Sequence, residues 1–270
     1  MLPSITIVRV LTRRDVPLLT VEEIPESIKT HVDAKERLIV ALDVPTKDQA
    51  RKLIDDLDGV VSFFKIGLEL YVASGLDLVD ELVKSEKKVF LDLKYYDVPE
   101  TVKSAVKLVA SEGVSFLTIH GNGKIIQAAV EGRGDTPLKL LSVTALTCLD
   151  NDDMKDFGFN CTVRDFVMFR AKKAMEAGCD GVITSPEETA EVSRLARQIK
   201  GMDHKFLIVT PGIRPANSSH DDHKRWSTPF TAIKNGADYL VMSRPIKNSP
   251  NPRQSAKDII AEMQIAFDRR

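Results

Sequence analysis

From residue 38 onward the chain alternates short apolar runs with longer amphipathic ones, and this rhythm limits the fold more than any other feature. Eight runs rich in Val, Ile, Leu and Phe read as strands: LIVALD (38–43), SFFKIG (62–67), VFLDLK (89–94), SFLTIH (115–120), KLLSVTAL (139–146), GVITS (181–185), FLIVTPG (206–212) and YLVMSRP (239–245). Most lack polar alternation, as expected of parallel strands buried on both faces. Helical patterns fill the gaps over 46–57, 70–84, 99–111, 123–132, 163–177, 186–200, 229–235 and 253–267. Thr46 suits an N-cap and Pro99 a first turn, and Gly113, Gly178 and Gly236 stand where helices should stop. Eight strand–helix units predict an α/β fold, a single-domain (β/α)8 barrel over 37–270 preceded by an N-terminal extension, residues 1–36. The alternative is a doubly wound open sheet. No GxGxxG follows the first strand, which counts against its dinucleotide-binding form.

Composition narrows the partners. The 270 residues carry a net charge of -1, so no basic excess points to nucleic acid or an anionic membrane, and any anion site must be built locally. No apolar run is long enough to span a bilayer. Cys148, Cys161 and Cys179 are odd in number and widely spaced, which fits a reducing compartment and a cytoplasmic location. Residues 1–14, MLPSITIVRVLTRR, have three arginines and no acid, a faint likeness to an organelle transit segment; a docked or loose extension is the preferred reading.

In a barrel, functional groups gather at the C-terminal ends of the strands. Those ends hold Asp43, Lys65, Asp92, Lys94, His120, Thr144, Thr147, Thr210, Arg214, Ser243 and Arg244. Asp92 and Lys94, two apart on one strand, should share a face, with Lys65 on the neighbouring strand and Asp97 just beyond. One such pair would be an ordinary salt bridge. Alternating ammonium and carboxylate groups on adjacent strand ends point instead to a site whose members stay ionised at neutral pH. TPGIRP (210–215) and SRP (243–245) each put an arginine after one of the last two strands, the usual phosphate position of such barrels. His220 and His223 flank two aspartates in SSHDDHKRW, without the spacing of a zinc motif, so a mobile polar loop is expected there and no metal or cofactor is predicted. His120 reads equally as a ligand or as a satisfied barrel histidine.

Together LIVALD, FFKIG, FLDLKYYDVPETV, SVTALT, VTPGIRP and YLVMSRPI, in this order over about 37–268, resemble the orotidine 5′-phosphate decarboxylases, of the bacterial type. The resemblance implies cofactor-independent decarboxylation of orotidine 5′-phosphate to uridine 5′-phosphate in pyrimidine biosynthesis. It implies that Asp43 and Lys65 hold ribose hydroxyls and that Lys65 also orients Asp92. Asp92 would face the substrate carboxylate, Lys94 would protonate C6, and Thr147 would contact the pyrimidine. Arg214 and Arg244 would hold the phosphate, with His223 and Ser243 beside them. It further implies a homodimer in which Asp97 and Thr101 serve the partner's site. Tyr96, Glu100, His223 and Ser243 depart from the commoner pattern. Two other readings remain: a magnesium-dependent sugar-phosphate decarboxylase or aldolase, which DxKxxD alone would also fit, and a non-catalytic nucleotide-binding barrel. The first predicts loss of activity with EDTA, the second binding without turnover.

Overall fold

The computed structural model describes residues 32–199, 206–216 and 226–270. A short turn of 3-10 helix, Ala34–Arg37, leads into β1 (Leu38–Ala41). There follow α1 (Lys47–Asp56), β2 (Phe63–Gly67), α2 (Leu68–Ser74), α3 (Asp77–Lys84), β3 (Lys88–Tyr95), α4 (Pro99–Ser111), β4 (Phe116–Ile119) and α5 (Gly123–Arg133). The second half runs β5 (Lys139–Val143), α6 (Asn151–Asp156), α7 (Val163–Glu176), β6 (Gly181–Ile183), α8 (Thr189–Gln198), β7 (Leu207–Thr210), α9 (Pro229–Lys234), β8 (Tyr239–Met242), α10 (Arg244–Lys247) and α11 (Pro252–Asp268). The strands form a closed parallel barrel in sequence order, β1 pairing with β8. The (β/α)8 expectation holds, and the open sheet is excluded.

Local chemistry accounts for most boundaries. The Thr46 hydroxyl accepts from the Gln49 N–H and caps α1. Asn122, Asp150, Thr162, Thr228 and Asn251 cap α5, α6, α7, α9 and α11 in the same way. Gly113, Gly178 and Gly236 all take positive φ, as their stop positions require. The single helix expected over 70–84 is instead two, because Gly75 (φ 61, ψ -152) breaks it between α2 and α3. The turn α10 and the six-residue α6 had no counterpart in the apolar periodicity; both are too short to display it.

Two apolar layers hold the barrel. Outward residues such as Val40, Phe64, Leu91 and Leu117 pack under the helices. Inside, Ile39, Phe63, Phe90, Phe116, Leu141, Val209 and Val241 fill the lower barrel. Phe116 meets Phe63 edge-on at 4.9 Å and Tyr239 at 5.1 Å, and Arg37 lies over the Tyr239 ring at 4.7 Å. Burial of each large ring stabilises by about 1.5–3 kcal/mol, and edge-on pairing adds about 0.5–1.5 kcal/mol. These rings close the end of the barrel opposite the strand C-termini. The segment before β1 is anchored too: the Gln264 side chain accepts from the Ala34 N–H (2.9 Å) and donates to the Val32 carbonyl (3.0 Å).

Helices α4 and α5 approach closely through Gly132, where an added Cβ would stand 2.3 Å from the Lys103 carbonyl oxygen. Backbone cannot yield as a flexible side chain can. Gly132→Ala is therefore expected to destabilise the fold by about 1–3 kcal/mol in urea unfolding, despite alanine's better helix propensity. An unchanged midpoint would contradict this packing.

Candidate active site

The strands that bury phenylalanine low in the barrel carry ionisable groups at the top. On β2 the inward positions are Phe63 and then Lys65, and on β3 they are Phe90 and then Asp92. A cavity of about 350 Å³ opens there, lined among others by Asp43, Lys65, Asp92, Lys94, Thr147, Arg214, Ser243 and Arg244.

One side of it is a chain of alternating charge. The Lys65 ammonium lies 3.3 Å from Asp43 and 3.5 Å from Asp92, and the Lys94 ammonium donates to Asp92 at 2.9 Å. Burial presses the Asp92 carboxyl upward. Lys65, then Lys94 and the Thr118 hydroxyl outweigh it and hold the group below the ordinary carboxylate range. Asp92 is therefore ionised at neutral pH although mostly buried. Lys65 bridges the two carboxylates, so the position between them already contains a cation. Among the described residues no three His, Cys, Asp or Glu side chains converge as a metal site.

Asp92 and Lys94 meet as expected, but not by regular strand alternation. Pairing passes from Leu91↔Leu117 to Tyr95↔Ile119, so four residues of β3 run against two of β4. Lys94 takes φ 51, a left-handed conformation that costs a non-glycine residue about 1–2 kcal/mol. The bulge aims the side chain into the cavity. Its freed backbone N–H donates to the Thr118 hydroxyl at 2.9 Å, and that hydroxyl lies 3.1 Å from Asp92 Oδ1. Thr118 was missed in the sequence because threonine is an ordinary strand residue. The one available signal was a hydroxyl inside the otherwise apolar run FLTI.

Gly212 (φ 77) turns the chain after β7, and the Arg214 N–H donates to the Ser227 carbonyl at 2.9 Å. Arg214 is buried, with its guanidinium donating to the Ile213 carbonyl at 2.8 Å. Arg244 opens α10 after β8. The two expected arginines thus line the same cavity as the Asp–Lys chain, with β8 paired directly beside β1. Ser243 lines it as well, with a shielded hydroxyl that has no hydrogen-bond partner among the described residues. His220 and His223 lie outside the described residues.

Other strand-end groups do not belong to the cavity. Thr144 donates to the Ile183 carbonyl at 2.8 Å and Thr210 pairs with Thr189 at 3.2 Å, so both tie neighbouring elements together. His120 packs edge-on against Tyr96 at 5.5 Å, which gives that tyrosine a contact the sequence had left unexplained. Burial, then Arg170 and Lys94, pushes the His120 imidazole below its usual pKa. Glu100 sits in the first turn of α4, where a carboxylate complements the helix dipole. Asp97 and Thr101 are exposed and line neither this cavity nor the smaller one beside Lys65.

Known proteins match this chain in sequence and fold. A family model described as "Orotidine 5'-phosphate decarboxylase / HUMPS family" matches residues 36–259. The orotidine 5′-phosphate decarboxylase of Nitrobacter winogradskyi is 48% identical over 234 residues, covering 87% of this chain and 95% of that protein. That of Methylococcus capsulatus is 44% identical over 238 residues, covering 87% and 95%. The crystal structure of orotidine 5′-phosphate decarboxylase from Lactobacillus acidophilus has a TM-score of 0.73 at 33% identity, covering 84% of this chain and 99% of that one. Sequence, barrel and family model agree: the chain belongs to the orotidine 5′-phosphate decarboxylase / HUMPS family.

Proposed function

We propose that this protein decarboxylates orotidine 5′-phosphate to uridine 5′-phosphate and carbon dioxide, without a cofactor, as a cytoplasmic enzyme of pyrimidine biosynthesis. The observation that carries the reading is the Lys94 ammonium held 2.9 Å from Asp92 in a cavity that also presents Arg214 and Arg244. When the bond between C6 and the carboxylate breaks, its electron pair stays on C6. An ammonium already in place stabilises that charge as it forms, then transfers a proton to C6 and is reprotonated from solvent. Asp92 holds the ammonium and meets the substrate carboxylate. Asp43 and Lys65 take the ribose hydroxyls and Thr147 the pyrimidine. Arg214 and Arg244 take the phosphate with His223 and Ser243, so that binding energy far from C6 supports positioning at C6.

The functional unit in this reading is a homodimer, with Asp97 and Thr101 completing the partner's site. Tyr96 and Val98, which flank Asp97 in the chain, are apolar and 67% and 62% exposed, and Leu68 and Val72 on α2 are 60% and 85% exposed. Residues 37–270 are the decarboxylase domain and 1–36 an extension, of which 1–31 lie outside the described residues.

The test follows orotidylate absorbance with purified protein, with and without EDTA. Turnover that EDTA leaves unchanged is expected. Turnover abolished by EDTA would favour a magnesium-dependent relative, and uridylate binding without turnover a non-catalytic barrel. Lys65, an ammonium between Asp43 and Asp92, argues against a second cation there.

A further inference from the structure

We propose that Thr118 is a positioning residue for proton transfer, clamping Lys94 at both ends; this rests on the reading of Lys94 as proton donor. Thr118 is wholly buried on β4, opposite the bulge in β3. Its hydroxyl has one proton to give and lone pairs to accept with. It accepts from the Lys94 backbone N–H at 2.9 Å and gives its proton to Asp92 Oδ1 at 3.1 Å, the oxygen that holds the Lys94 ammonium. The Leu91 carbonyl, at 3.5 Å, is the poorer acceptor. One side chain therefore fixes both the origin of the Lys94 side chain and the carboxylate at its far end. A regular ladder could do neither, because the Lys94 N–H has left the register and stands in a left-handed conformation. The β4 hydroxyl replaces the missing backbone acceptor at the residue whose placement matters most.

The clamp separates from simple structural support in two measurements on Thr118→Val and Thr118→Ser. Valine keeps the shape and loses both hydrogen bonds, whereas serine keeps the hydroxyl and loses a methyl. Thr118→Val is expected to lower kcat roughly 10²-fold, with KM within about 3-fold of the unaltered protein, as for a small misplacement of a reacting group. It is also expected to speed amide exchange at Lys94 by at least about 10-fold in the folded protein. Thr118→Ser keeps both properties close to the unaltered values. An unchanged kcat in Thr118→Val, or a serine variant as impaired as the valine one, overturns the proposal. Failure of the unaltered protein to turn over orotidylate would remove the reaction reading alone. Lys94 amide exchange then decides the clamp, with no change in Thr118→Val overturning it and selective loss of protection supporting it. If Thr118→Val does not fold, the unaltered and serine proteins still decide: a slowly exchanging Lys94 amide in both supports the clamp, and an unprotected one in either overturns it.

Discussion

Replacing Lys94 with alanine is expected to lower kcat at least about 10⁴-fold while the protein stays folded and still binds uridylate. Two contributions combine. A positioned proton donor accounts for about 10²–10⁴-fold. A preorganised charge beside the developing carbanion accounts for about 10²–10³-fold. The fold should tolerate the change, because Asp92 keeps Lys65 at 3.5 Å and the Thr118 hydroxyl at 3.1 Å. Alanine also relieves little of the packed core, since Lys94 lines the cavity rather than the apolar layers. Uridylate has no carboxylate to meet an unbalanced Asp92, so its affinity should change by less than about 10-fold. Single-turnover absorbance and calorimetric titration check the two halves. A rate within tenfold of the unaltered enzyme would remove Lys94 from the chemistry.

Mixing Lys94→Ala with Asp97→Ala, each nearly inactive alone, should restore activity to about a quarter of that of the unaltered enzyme at the same total subunit concentration. Random exchange makes about half of the dimers hybrids, and each hybrid has one intact site. That site combines Lys94 of the Asp97→Ala subunit with Asp97 of the other. A site built within one chain predicts no recovery, because every subunit would lack one of the two residues. Asp97 is exposed and lines neither cavity of its own chain, with its carboxylate accepting from the Val98 N–H at 2.6 Å. No recovery in subunits demonstrated to exchange would end the shared-site reading.

The eight strands were legible because burial on both faces leaves unbroken apolar runs, and the charges that end those runs marked the cavity. Chain geometry beyond one strand was harder. Asp92 and Lys94 could be paired by spacing, but nothing in DLK announces a left-handed lysine, a conformation unfavourable for any side chain beyond glycine. Thr118 escaped notice because its role comes from the register of β4 against a bulge, a relation between distant segments. Gly75 was visible, yet the helical pattern continues on both sides, and only its backbone angles reveal the break. Arg214 and Arg244 were legible because each lies within four residues of the end of its strand.

The aromatic floor makes the barrel a cul-de-sac. With Phe63, Phe116 and Tyr239 wedged edge to edge below the charges, reactant and both products must share one doorway. A fresh nucleotide cannot follow through from behind; the spent one has to back out first. Traffic through the site is thus strictly alternating.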